Sequence, residues 1–374
     1  GSLLFWLFLG NRLCSGLSEA AASGADEALA YDSLKALGRE EEWAHFLETL
    51  TRVVSVGFFV SMILGGLVYD AAVVNGVLGA LDPSLSLAQT SVIRLPVILT
   101  LLSSLVVLGV ALSFYDIDRQ RLARRREASA GAQTAAQRLL QPFVQIAAAA
   151  RWTLDHRFVL FVILGALVLD SVARQFVVLA SEYYRVIDIP ISLFGFIGAG
   201  ISLVSLLTAR LSRLMVSHYA PSTNLLLLAG MLLLGLVGAT FVVRWFGLAF
   251  AVVMFAVLGM VQFQSSYYLN RLVESDIRAT VLSFRGLAIN LGLGVASLFY
   301  TALVATLRAE GAGETEDAIF ASALPAFPGY FAVLFALLLL GARYLIKDRS
   351  AISLSSMRGR RSSADEGEET DEAH

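Results

Sequence analysis

Asp170 and Arg174 stand four residues apart inside an apolar run, with Gln175 beside them. On a helix this spacing sets a carboxylate and a guanidinium one turn apart on one face, where they neutralise each other. Such a pair survives at membrane depth, where a lone charge is costly. Asp170 then reads in two ways, as a carboxylate for proton coupling or polar-substrate contact, or as half of a self-satisfied structural pair. Gln262 and Gln264 lie in a second polar patch, Gln262-Phe-Gln-Ser-Ser-Tyr-Tyr268. Both amides are candidates for lining a cavity, whereas Tyr267 and Tyr268 suit an interfacial aromatic belt.

A polar stripe runs through the first apolar stretch. Arg12, Gly16, Glu19, Ser23 and Asp26 recur at intervals of three and four, which puts them on one helical face. That face must meet other helices or a wet cavity, so it serves either transport or helix–helix pairing. His45, His156, His218, His374 and the single Cys14 are dispersed. They offer no metal cluster and no intrachain disulfide, nor the clustered groups that a lipid-modifying membrane enzyme would need. No G-x-x-x-x-G-K-[ST] loop is present, which argues against ATP-driven transport by this chain. Neither a cofactor nor a nucleic-acid partner is expected.

The elements carrying these residues follow from hydropathy. Hydrophobic residues make up 57% of the 374 and charged ones 16%, with a mean hydropathy of +0.72; soluble domains carry about 25% charged residues. The apolar residues form runs of roughly 20, the length of a membrane-spanning helix, without the alternation of a β-barrel. The fold class expected is all-α, a polytopic helical membrane protein with about nine transmembrane helices. They fall near residues 2–31, 53–70, 92–114, 158–181, 191–209, 223–243, 246–269, 280–306 and 327–346.

Arginine placement predicts the orientation. With the C-terminus inside, 22 Lys and Arg residues collect on the inner side, and only Arg94, Arg185, Arg244 and Arg308 on the outer side. This satisfies the positive-inside rule and implies an inner or plasma membrane location with a cytoplasmic C-terminus. Residues 115–157 form a basic linker between two bundles, 1–114 and 158–347. Its Gln133–Ala150 part reads either as an amphipathic helix on the inner membrane surface or as a mobile linker. The tail, 348–374, turns serine-rich and then acidic and is expected to be disordered.

Several stretches resemble one family. Arg12-Leu-Cys-Ser-Gly16 resembles the fourth-helix signature of the major facilitator superfamily, an arginine followed four residues later by glycine. Ser23-Gly-Ala-Asp-Glu-Ala-Leu-Ala-Tyr-Asp32 is similar to a branch in which small residues and acids close the inner end of that helix. The turn Asn270-Arg-Leu-Val-Glu-Ser-Asp-Ile-Arg278 resembles the cytoplasmic entry to helix eleven, with Ser275 or Asp276 as a helix cap. Arg210 and Arg213 match a degenerate basic loop motif. Gly65-Gly66 resembles the antiporter glycine motif, yet the Gly-Pro pair of that motif is missing, against a drug/proton antiporter.

The resemblance implies that the chain begins at helix four, with about 100 residues of helices one to three before it, and that two bundles rock about a midplane site. The expected function is secondary active transport of a small-molecule solute by alternating access, with protons as a candidate coupling ion. A non-transporting receptor or scaffold of the same fold, or a lipid-modifying enzyme, are the alternatives. In the family, the inner ends of helices four and eleven approach each other. Asp26, Glu27 and Asp32 would then pair with Arg278 and Arg285 to close a cytoplasmic gate; the duller reading is solvated surface charge.

Overall fold

The computed structural model describes residues 2–22, 25–69, 71–82, 87–92, 94–113, 135–190, 193–311, 313 and 315–345. The charged part of the linker, up to residue 134, and the acidic tail lie outside the described residues, so the expectations for them stay open.

Every regular element among the described residues is helical. Eight helices are long and apolar enough to cross a membrane, the make-up of an all-α polytopic membrane protein. The first expected span is not among the eight. Its described parts are α1 (Ser2–Ala22) and α2 (Ala25–Ala36); the polar stripe dilutes the apolar character of α1, and α2 carries four charged residues. The second expected span, drawn as the shortest, belongs to a 27-residue helix, α3 (Trp43–Tyr69). Hydropathy misplaced its start because the first ten residues of the helix include His45, Glu48, Thr49, Thr51 and Arg52.

The chain divides into two compact units. The smaller comprises residues 49–142 and 190–207. It contains most of α3, then α4 (Ala71–Leu81), the single turn α5 (Gln89–Val92) and α6 (Leu95–Ser113). Asn75 ties α4 to Leu87, just before α5, donating to the Leu87 carbonyl at 3.0 Å and accepting from its N–H at 2.7 Å. On α6, Thr100, Ser103 and Ser104 return their hydroxyls to carbonyls of their own helix. That is how a helix in lipid hides hydroxyls.

The larger unit comprises residues 1–48, 143–189 and 208–374. Its described elements after α3 are most of α7 (Ala135–Asp155), then α8 (Arg157–Val178), α9 (Ala180–Val186) and the end of α10 (Phe194–His218). They continue with α11 (Pro221–Thr240), α12 (Gly247–Leu272), α13 (Ser275–Ala309), α14 (Glu316–Ala323) and α15 (Ala326–Leu345). Helix α8 is the hub, packed by α11, α12, α13 and α15. Outside its polar turn at Asp170–Gln175 it is apolar around its buried circumference, as a helix surrounded by others must be. Its contact with α13 is close at Gly292, where an added methyl would lie 3.2 Å from Leu167 and Ser171. Among the described glycines the tightest contact joins α11 to α12: a methyl on Gly238 would fall 2.1 Å from the Phe250 ring. Glycine lets helices approach this closely in membranes.

Candidate functional site

Two polar groups stand out in the larger unit. The first surrounds Asp170, a fully buried carboxylate on α8. Arg174, one turn on, donates from Nε and an Nη to its two oxygens, each at 2.8 Å. Gln262 of α12 donates to the same carboxylate. Gln175 points elsewhere and accepts from the Ser297 hydroxyl of α13 at 2.7 Å. Asp170 is 13 residues from the start of α8 and Gln262 ten from the end of α12. At 1.5 Å per residue the group sits roughly 15–20 Å from that end of the bundle, a distance comparable to half of a ~30 Å hydrocarbon layer.

Gln264 does not join this group. Two residues along a helix turn the side chain by about 200°, and Gln264 instead approaches the Met215 thioether at 3.8 Å. The two glutamines therefore serve different surroundings.

The second group fastens the segment from α2 to the start of α3 onto the ends of α10, α12 and α13. Glu27 accepts from Arg285 at 3.1 Å, from the Ser266 hydroxyl at 2.7 Å and from Asn270 at 3.3 Å. Asp32 accepts from Arg278 and, at 2.8 Å, from the Ser275 hydroxyl. Glu41 pairs with Arg271 at 3.1 Å, and the buried Glu48 pairs with Arg213. Four carboxylates thus meet four arginines along one end of the bundle. Of the acids proposed from sequence, Glu27 and Asp32 meet the arginines expected, whereas among the described residues Asp26 accepts only from the Glu27 N–H. The side chains of Arg12, Glu19 and Asp276 lie outside the described residues.

Ser275 does not cap α13. The residue at the cap position is Glu274, which makes no side-chain capping bond, and the Ser275 hydroxyl is drawn to Asp32, a charged and hence stronger acceptor. Arg278 also closes α12, donating to the Val273 carbonyl just past its end at 2.7 Å. Such a carbonyl has no partner within the helix.

Beneath the ion pairs lie two apolar clusters. One joins Ala28 to Ala149, Val159, Ile163, Leu269 and Val281; the other joins Tyr31, Trp43 and Leu47 to Val216, Phe263 and Tyr267. Between them they hold α2 on adjacent sides. Glu41, Glu48, Ser266 and Asn270 were not singled out from sequence. The available signal was that acids recur between residues 27 and 48 while the expected inner helix ends carry arginines.

At the opposite end of the bundle, Arg185 bridges Glu182 and Asp317, the latter at 3.0 Å, and Arg308 pairs with Glu316 at 2.7 Å. These pairs tie α9 and α13 to α14. Tyr183 and Tyr184, between the spans, are buried, which pushes the ionisation of each up to about 12.

The chain matches no family model, no curated protein and no solved structure.

Proposed function

We propose that the protein is a secondary active transporter of the major facilitator type, moving a small-molecule solute across an inner or plasma membrane by alternating access. The observation that carries this reading is the clasp of Glu27–Arg285 and Asp32–Arg278, which joins residues of the resembling fourth helix to those of the resembling eleventh. Charge pairs at a bundle end can hold one side of a transporter shut and part when the bundles rock. With the arginine-rich side in the cytosol, that end is the cytoplasmic one, and the clasp would hold it shut.

Within this reading Asp170, Arg174 and Gln262 form the midplane coupling or substrate group. Neutralising Asp170 by a proton would release Arg174 and Gln262 to a solute, which links proton and solute by competition for one set of donors.

The test is solute flux into proteoliposomes containing the full-length gene product, screened over sugars, organic ions, peptides and amphipathic drugs with and without a proton gradient. Asp32→Arg and Arg278→Asp should each abolish flux, and the double reversal should restore a measurable part of it. Absence of flux for every solute class counts against transport; flux left unrestored by the double reversal counts against the clasp.

A further inference from the structure

A cavity of about 40 Å³ lies between α8, α11 and α12, apart from the Asp170 group. Its walls include Phe161, Leu169, Leu225, Leu228 and Val261, and no residue lining it is charged. Two features indicate that it is a site rather than a packing gap. Gln264, 4% exposed, lines it, and its only polar contact among the described residues is the Met215 sulfur at 3.8 Å. A thioether is a weak acceptor, so this buried amide retains both donor and acceptor capacity that a native interior normally fills. The second is Gly165 on α8: an added methyl there would meet Leu225 of α11 at 3.0 Å. The missing side chain keeps α8 and α11 close while leaving the cavity clear.

We propose that this cavity binds a small neutral molecule that is apolar except for one hydroxyl, of the short-chain alcohol class. A hydroxyl both donates and accepts, which matches the two unused functions of the Gln264 amide. The alkyl part packs on Phe161, Leu225 and Leu228. Ions are disfavoured because the polar lining groups, Gln264, Ser265 and Tyr268, carry no charge to offset their desolvation. A pure hydrocarbon would leave the amide unmet. Water, which needs roughly 10–15 Å³ of such space, would fit but would leave the apolar walls without contacts. The proposal does not depend on the transport reading, since all its residues belong to one unit and the assay reads binding.

The test is photolabelling of the full-length protein in nanodiscs with a diazirine-bearing butanol and its hydroxyl-free butane counterpart, followed by peptide mass spectrometry. The expected result is saturable butanol labelling on peptides containing Phe161, Leu225 or Tyr268, competed by 1-butanol, with about tenfold weaker apparent affinity for the butane probe. Gln264→Leu, nearly equal in volume, should erase that tenfold preference while keeping butane labelling. Val261→Phe should remove saturable labelling by both probes. Labelling that rises without saturation along lipid-facing helices would overturn the proposal, as would equal affinity of the wild type for both probes, a result that needs no variant to fold.

Discussion

The guanidinium of Arg278 lies over the ring of Tyr31, 4.4 Å from its centroid, while it holds Asp32 and the Val273 carbonyl. One side chain therefore ties α2 to the junction of α12 and α13 by charge, stacking and a helix-end hydrogen bond. Arg278→Met should destabilise the protein by about 2 kcal/mol, below the range for a fully buried pair because Asp32 is 32% exposed. Asp32→Asn combined with Arg278→Met should cost less than the two single changes added together. Thermal unfolding in a mild detergent, run as a double-mutant cycle, measures that coupling.

At the centre of the bundle the asymmetry between partners is larger. Arg174→Met strands a fully buried carboxylate and should cost on the order of 3 kcal/mol. Asp170→Asn keeps a neutral group of the same shape against Gln262 and should cost less. If the two variants unfolded at the same temperature, the charge of Asp170 would not be what Arg174 stabilises.

Gly238→Val places side-chain atoms where the Phe250 ring stands, and should destabilise by about 1–3 kcal/mol through overpacking. Phe250→Ala in the same chain should recover part of that loss by opening room. Unfolding temperatures of the four proteins decide the matter; no recovery in the double variant would mean the α11–α12 approach is not limited by this contact.

Alkaline stability should report on Tyr183 and Tyr184. Their ionisation is pushed by burial to about 12, against about 10 in the unfolded chain. A raised folded value means the native state holds its protons longer than the unfolded state does. The stabilisation is therefore whole below about pH 10 and disappears as pH climbs through about 12. Tyr183→Phe with Tyr184→Phe should flatten the fall in unfolding temperature across that window, and an unchanged slope would contradict the assignment.

Much of the candidate site was legible because it is local. The Asp170–Arg174 pair follows from i,i+4 spacing alone, and so does its survival in an apolar helix. Helical periodicity also separates the faces of Gln262 and Gln264, although it does not say which face meets Asp170. Complementary charge at α2 and α13 suggested pairing, but it could not assign Glu27 to Arg285 and Asp32 to Arg278, nor leave Asp26 out. The cap expected of Ser275 failed for the same reason: a stronger acceptor arrived from a residue 243 positions away.

By itself the amino-acid sequence determined that the chain is helical and rich in membrane-length apolar runs, with Asp170 and Arg174 spaced to neutralise each other along one helix face. These properties rest on composition and on a period of 3.6 residues, which any short window contains. Only the tertiary structure decided that residues 27–48 lie along the bundle end as four acid–arginine pairs, that Gly238 is where two helices touch, and that Gln264 turns into an apolar cavity. Each of these depends on how helices distant in sequence cross, and crossing geometry is set by the packing of side chains from several helices at once.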